Sequence, residues 1–454
     1  MNKRLSGLWV AAAVLGVCWT QPALARDPFA LDINIGGLNR TFGFDSIQAA
    51  IDQVDPDRLR DSFTGKNPDT ERIIVGLNFR GLEGVTLGFA VNNAVLSFAI
   101  PLAGIDQQFD GGGCDSQTPG DCTRARKIAI EKLKRFLKED RDALKRLLTA
   151  LARYSPIDPL AGNPLSLMTQ KMKGDFRDGF THKVSQIWGC GTSAFNFSDD
   201  APILLAAVGG VDNIFAEAQA RAAQLRAGNE IGAGVFLTST EADGFASTGL
   251  TIPFSYTANL DSLPGHKVRV DLPLSYTDTE GAVTYSLGFG LAYTYPISDV
   301  WSLTPGLGVG ATGSEDLGAA GGVGAYSLTS AYTWRLGDYA LSMGNSLGKY
   351  DSLGLKIGDI EAEADISNTV FTNGLLLSGP NSLIAKNLVL EYSIQDTRIT
   401  GDEVYSEYYD EVGIALGYID TERGVIDSYV KGGLSYLVGA NDITAIKLNL
   451  SVRF

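Results

Sequence analysis

Between residues 283 and 295 every second residue is apolar or aromatic: Val283, Tyr285, Leu287, Phe289, Leu291, Tyr293 and Tyr295. The residues between them are Thr284, Ser286, Gly288, Gly290, Ala292 and Thr294. A period of two held over seven apolar positions makes a strand with one greasy face and one small, wet face. The pattern recurs at Leu250 to Tyr256, Val268 to Tyr276, Trp301 to Val309, Leu388 to Ile394 and Val412 to Tyr418. Weaker members lie near 231–238, 323–334, 339–348, 366–377 and 428–438. The last is ITAIKLNLSVRF, 443–454, with Ile446, Leu448, Leu450, Val452 and Phe454 on one face. One such strand would also suit a soluble sandwich. About twelve of them, each roughly ten residues long, have the length and the even number of tilted strands closed in a membrane. Aromatic residues at both ends of 283–295 fit the girdles of such a barrel.

The start of the chain points to export. Lys3 and Arg4 precede an apolar run from Leu8 to Val17, and Ala23-Leu24-Ala25 follows. These are the three parts of a signal peptide, and the run is too short to span a bilayer as a mature helix. Cys18 follows Val17 rather than a small residue, so cleavage is expected after Ala25 and not at a lipidated cysteine. No later uninterrupted apolar run of about twenty residues is found. A mean hydropathy of +0.04 agrees, because barrels are apolar only at alternate positions. Charge divides the chain. Residues 1–230 are balanced at 26 acidic and 26 basic, whereas 231–454 carry 26 acidic and 11 basic, so the net charge of −15 lies in the second part.

If both barrel ends lie on the inner side, turns there should be short. They are expected at 296–299, 335–338 and 377–382, with longer outer loops near 239–248, 312–321, 349–365 and 397–411. The links near 278–282 and 439–442 should be external yet are short. The two longest outer loops are acidic, with Asp351, Asp359, Glu361, Glu363 and Asp365 in one and Asp402, Glu403, Glu407, Asp410 and Glu411 in the other. They read as solvated loops; ion binding among lipopolysaccharide phosphates is the alternative, without EF-hand spacing to support it.

Ahead of the first strand, Asp212 could cap an alanine-rich helix over 213–229 with a thin apolar face, slim enough to thread a polar lumen. Twelve strands, a helix before them and a terminal aromatic residue together resemble the translocator domain of autotransporters, over about residues 200–454. The resemblance is to solitary autotransporter-like barrels without a long repetitive passenger. It implies a helix in the pore, Phe454 as an assembly signal read by the barrel assembly machinery, and translocation or display of the chain's own N-terminal region. Two departures stand out. Only about 185 mature residues precede the helix, and no Asn-Asn pair lies at it; Asn92-Asn93 is far upstream and reads as a hairpin turn.

Residues 26–200 read as a mixed α+β region. A short helix is expected at 46–54 after Asp45, and IIVGLNF, GVTLGFAV and AVLSFAI between 73 and 100 read as strands. They form a small sheet outside the membrane or additional barrel strands. Cys114 and Cys122 are the candidate disulfide in an oxidising compartment, leaving Cys190 without an assigned partner. The strongest helical pattern runs over 124–153, with Ile130, Leu133, Leu137, Leu144, Leu147, Leu148 and Leu151 on one side and Lys127, Lys134, Lys138, Arg141 and Lys145 on the other. Its basic face is solvated, lies on anionic lipid, or plugs the acidic barrel; nucleic acid does not suit an exported acidic protein.

The expectation is an all-β transmembrane barrel of about twelve antiparallel strands, preceded by a pore helix and a small α+β N-terminal region. The divisions are 1–25 signal peptide, 26–200 periplasmic, plug or short passenger region, 201–230 linker and pore helix, and 231–454 barrel. Lys267, Arg269, Asp271 and Glu391 are candidates for lumen-facing ion pairs. The two histidines, His182 and His266, lack a companion constellation, so no catalytic, cofactor or metal site is read and the chain is not taken for an enzyme. The partners expected are outer-membrane lipid, lipopolysaccharide and the assembly machinery, with no nucleic acid and the oligomeric state open. A porin-type channel is the alternative function, and an outer-membrane hydrolase a third.

Overall fold

The structure, a computed structural model, describes residues 27–114, 121–180, 230–260, 262–263, 265–298, 300–336, 339–357, 360–380, 388–419 and 429–453. The signal peptide expected at 1–25, the helix expected at 213–229, His182, Cys190 and Phe454 lie outside the described residues.

An N-terminal domain comes first. Strands β1 (Phe29–Ile35), β2 (Leu38–Phe44), β3 (Ile73–Phe79), β4 (Leu82–Phe89), β5 (Val95–Ile100) and β6 (Ile105–Asp110) form one antiparallel sheet in the order β2-β1-β3-β4-β5-β6. The three strands expected between 73 and 100 are therefore the centre of a separate sheet and not part of the barrel. In β1 Phe29, Leu31, Ile33 and Ile35 are all buried, a period-two signal that the sequence reading passed over. Gly36 and Gly37, both at positive φ, turn β1 into β2, which only glycine does at no steric cost. Asn92 takes positive φ in the β4–β5 hairpin, and Asn93 Oδ1 accepts from Val95 N at 2.7 Å.

Five helices lie among the described residues. Helix α1 (Ile47–Gln53) is capped by Ser46, and α2 (Pro56–Ser62) by Asp55 with proline at its first position. The long amphipathic stretch forms two helices, α3 (Asp121–Glu139) and α4 (Arg141–Tyr154). Asp140 breaks it: its backbone is extended and its carboxylate accepts from Ala143 N at 2.9 Å, so it caps α4. Ala129, Ile130, Leu147 and Leu151 pack with β1, β3 and β4 in one core. Cys114 and Cys122 are disulfide-bonded beside the start of α3.

Arg126 of α3 is buried and ties this domain together. It donates to the carbonyls of Asn93 (2.9 Å), Glu71 (3.1 Å), Ala90 (2.9 Å) and Pro68, and stacks 4.9 Å over the Phe89 ring. Burial pushes its guanidinium down to about 10, which leaves it charged at neutral pH. Four carbonyls met by one planar fork is a task that lysine cannot repeat. Arg126→Lys should therefore destabilise the domain by about 2–3 kcal/mol, the cost of leaving buried carbonyls unpaired. Thermal unfolding of the purified chain checks this; an unchanged N-terminal transition would contradict it.

The second part of the chain is a closed antiparallel barrel. Its strands are β7 (Glu230–Ala242), β8 (Phe245–Asn259), β9 (Lys267–Thr279), β10 (Ala282–Ser298), β11 (Trp301–Ser314), β12 (Ala319–Leu336) and β13 (Tyr339–Leu353), then β16 (Ser367–Pro380), β17 (Leu388–Gly401), β18 (Tyr408–Ile419), β19 (Tyr429–Gly439) and β20 (Thr444–Arg453). A small hairpin, β14 (Leu355–Ile357) with β15 (Ile360–Ala362), stands between β13 and β16. Closure comes from β20 pairing with β7. The twelve strands are those the alternation marks. Their apolar faces point outward: Tyr285, Leu287, Phe289 and Leu291 are exposed along β10, while Thr284 and Ala292 are buried. An outward apolar belt on a closed barrel is what a membrane-spanning barrel needs, because closure pairs every backbone group. No helix among the described residues is long and apolar enough to cross a membrane.

Several of the connections expected to be outer loops are tighter than expected. β7 and β8 meet at Asp243-Gly244, both at positive φ, rather than through a loop near 239–248. β11 and β12 are joined by residues 315–318 alone. The strands run on past the apolar belt there. Beyond it both faces carry Ser, Thr and Gly, so the alternation that marks a strand fades while the ladder continues.

Candidate functional site: the lumen and the domain on its mouth

Strand β7 begins and β20 ends at the same end of the barrel. At the opposite end lie the β7–β8, β9–β10, β11–β12, β13–β16, β17–β18 and β19–β20 connections. The N-terminal domain sits on this second end. Ile47 N donates to Asp316 O at 2.9 Å, and Phe245, Ala282, Leu317 and Ala319 of the barrel rim belong to the domain's own hydrophobic core. Arg80 is buried between the two, held by Asp158 at 2.5 Å with its Nη1 3.5 Å from Leu317 O. Burial pulls its guanidinium down and the Asp158 carboxylate opposes that.

The acidic loops expected to be solvated take the basic face of α4. Lys145 Nζ lies 2.7 Å from Glu363 and 3.9 Å from Asp365, Arg153 Nη2 is 2.9 Å from Asp402, and the Tyr154 hydroxyl donates to Glu403 at 3.0 Å. Thr149 Oγ1 accepts from Asp365 N at 2.9 Å. Of the basic face, Lys145 thus meets the barrel's loops, whereas Lys127 faces Asp55 and Asp57 of its own domain and Lys134 pairs with Glu131 one turn away. Asp351 instead faces Lys349 at 3.7 Å. Glu411 and Asp410 are not loop residues; they lie in β18 on opposite faces.

From α4 the chain turns into the barrel. Residues 155–166 are buried throughout. Asp158 Oδ1 accepts from Leu160 N (2.9 Å), Asn163 Nδ2 donates to Asp158 O (2.6 Å), and Asn163 Oδ1 accepts from Leu165 N (2.9 Å). Local side-chain bonds of this kind hold an irregular segment that no ladder serves. Helix α5 (Leu167–Phe180) follows, with Ser166 at its start, and packs against β10, β11, β12 and β13 from inside. A slim helix about 10–12 Å across fits a twelve-strand barrel about 24 Å wide between backbones. Gly344 gives it room: a Cβ there would lie 2.5 Å from the Phe180 ring. Phe176 and Phe180 stack at 5.1 Å and pack on Ala331 and Leu376.

Polar groups of α5 meet polar groups of the wall. Lys171 pairs with Asp175, whose other oxygen accepts from Tyr350 Oη at 3.1 Å. Lys173 lies 3.4 Å from Glu411, which also receives Lys447 (2.5 Å) and Ser435 Oγ (2.7 Å). Gln170 Oε1 accepts from Ser275 Oγ at 2.6 Å. The candidate lumen residues fall inside. Arg269 Nη2 is 2.6 Å from Asp271, and its Nε is 3.4 Å from Asp178 of α5, beside Arg177. Lys267 is buried at the start of β9, and Glu391 pairs with Lys431 at 2.9 Å. Cavities of about 40 and 50 Å³ remain beside the helix, space for a water or two each. The sequence reading missed α5. Its Met172-Lys173-Gly174 and Asp178-Gly179 break the apolar periodicity, and its charges look like a solvated turn until the wall supplies partners.

His266 hydrogen-bonds the Tyr293 hydroxyl at 2.6 Å and meets the Tyr295 ring edge-on. No group of three or more His, Cys, Asp or Glu positioned to hold a metal occurs among the described residues.

No family model and no curated relative matches the chain. Among solved structures it is similar to the beta domain of the Bordetella autotransporter BrkA, at 13% identity and a TM-score of 0.39, covering 50% of this chain and 98% of that one. It is similar to the translocator domain of the autotransporter NalP from Neisseria meningitidis, at 14% identity and 0.40, covering 55% and 99%. A KdgM porin matches at 10% identity and 0.28, covering 48% and 97%.

Proposed function

We propose that this chain is an autotransporter-like barrel of the bacterial outer membrane that carries its own N-terminal domain to the outer face and holds it there. One observation carries the reading: the path of the chain. The domain rests on the end of the barrel opposite its two termini, α5 descends inside, and the wall begins at the far end. A chain that had passed outward through its own barrel would be left in this arrangement. The ionic and apolar seats at the mouth fit a display role, in which the domain stays attached. Outer-membrane lipid and lipopolysaccharide would surround the belt, and the barrel assembly machinery would insert it. We assign no catalysis to it.

The test uses intact cells. An epitope and protease site placed within the 114–122 loop should be cut by added protease without opening the outer membrane. Protection until the outer membrane is permeabilised would put the domain on the inner side and end this reading in favour of a plugged channel.

A further inference from the structure

The outward face of the barrel is not apolar all the way round. Ser330 of β12 pairs in register with Asn345 of β13, Asn345 with Asn373 of β16, Asn373 with Asp396 of β17, and Asp396 with Asp410 of β18. All five point outward, since Thr329, Ser342, Thr372, Gln395, Thr397 and Glu411, at positions of the opposite parity in the same strands, are buried inside. They form one unbroken polar row across five strands, ended by Leu303 on one side and Val438 on the other. The next outward row toward the termini is Tyr332, Met343, Leu375, Ile394 and Val412. The next row toward the mouth holds Leu328, Leu347 and Phe371 before Arg398 and Tyr408.

The row does not mark the upper edge of the belt at its centre. Asn345 is six residues along β13 from Tyr339, and Asn373 four along β16 from Leu377. With a tilt of about 40° that is roughly 15 and 10 Å along the membrane normal, inside an apolar band about 25 Å tall. Leu347 and Phe371, nearer the mouth, are 49% and 45% exposed. Asn345 Nδ2 donates to Asn373 Oδ1 at 2.7 Å, which uses one donor and one acceptor site of two amides that offer several each. Arg398 reaches Asp396 (2.5 Å) and Asp410 (3.3 Å), one cation for two carboxylates. Hydrocarbon offers nothing to the sites left over, and polar groups at this depth mark contacts with something other than lipid.

We propose that this wall, β12 to β18, is a lateral contact between two copies of this chain. Insertion fixes the depth of every residue, so a second copy related by a two-fold axis along the membrane normal presents the same row at the same depth. A contact of that kind is isologous and needs a self-complementary surface. A primary amide is self-complementary, being donor and acceptor at once, and a row of like charges is not. The row climbs obliquely because the strands tilt. Facing rows therefore cross, and the middle residue, Asn373, sits opposite its own copy.

The test is cysteine cross-linking of the full-length protein in its own membranes, with Cys190→Ser as background. Asn373→Cys should give an oxidant-induced species of twice the chain mass, and Phe254→Cys, exposed on the opposite wall, should not. A reporter beside the row, Phe371→Cys, should also cross-link. Adding Asn345→Leu and Asn373→Leu should weaken its dimer about five- to thirtyfold, the range of polar contacts between membrane segments. Heat-modifiable gel mobility confirms that each variant is folded. A monomeric Asn373→Cys chain, equal cross-linking at Phe254, a product of another mass, or a reporter indifferent to the leucines would each overturn the proposal.

Discussion

Removing residues 27–229, so that residues 1–26 are followed by β7, is expected to turn a silent barrel into a conducting one. The full-length chain should give a flat trace in planar bilayers, because α5 and the buried segment 155–166 occupy the lumen, with cavities of about 40 and 50 Å³ beside the helix. The bare barrel should show discrete, ohmic steps through a lumen walled by Ser, Thr, Asn and charged residues. Its physical basis is width: eight strands are filled by their own side chains, and sixteen or more leave an aqueous channel. Twelve lie between, and here the surplus is about one helix. Shortening the deletion to 27–180 tests which part of the N-terminal region does the closing. If that variant conducts like the bare barrel, α5 with the segment before it is the plug. If it stays silent while the longer deletion conducts, residues 181–229 close the pore without α5. A conducting full-length chain would contradict the closed lumen described above.

The second large effect is expected at Glu411. This carboxylate is buried between β18, β19, β20 and the plug, receiving Lys447, Ser435 and, at 3.4 Å, Lys173 of α5. Glu411→Ala removes the anion and leaves two largely buried ammonium groups short of it, beside a cavity of about 40 Å³. Breaking a buried pair from one side costs about 3–5 kcal/mol, well above what an exposed pair is worth. The temperature at which the folded barrel loses its compact gel mobility should fall accordingly. Glu411→Gln keeps an acceptor for Ser435 and should lie between. Lys173→Met removes only the plug's share: the barrel should melt close to wild type while α5 is held less firmly, read as transient openings in the bilayer. Equal melting of Glu411→Ala and wild type would show that the lumen's ion pairs are not what holds the wall and plug together.

The wall was legible because each strand of a membrane barrel has its own two-faced environment, so the signal is local: Tyr285 to Tyr295 shows it without reference to any other strand. The inward direction of Lys267, Arg269, Asp271 and Glu391 follows from the same parity. Glu411 was not legible. It sits one residue from Asp410 in an acidic run, and only the start of β18 at Tyr408 decides that one of the two faces the lumen and the other the membrane.

The amino-acid sequence by itself determined the closed barrel, its strand count and its lipid-facing belt, because alternation is a property of neighbours in the chain. It also marked an α+β region ahead of the barrel through the periodicities of its strands and of the long helical stretch, but left open whether those strands join the barrel. Only the tertiary structure decided what fills the pore and where the N-terminal domain rests. Asp175 with Tyr350, Asp178 with Arg269, and Lys145 with Glu363 join residues far apart in the chain. A charge in a sequence looks the same whether it will face water or a partner. Which of the two it meets is settled by the closure of a barrel just wide enough for one helix.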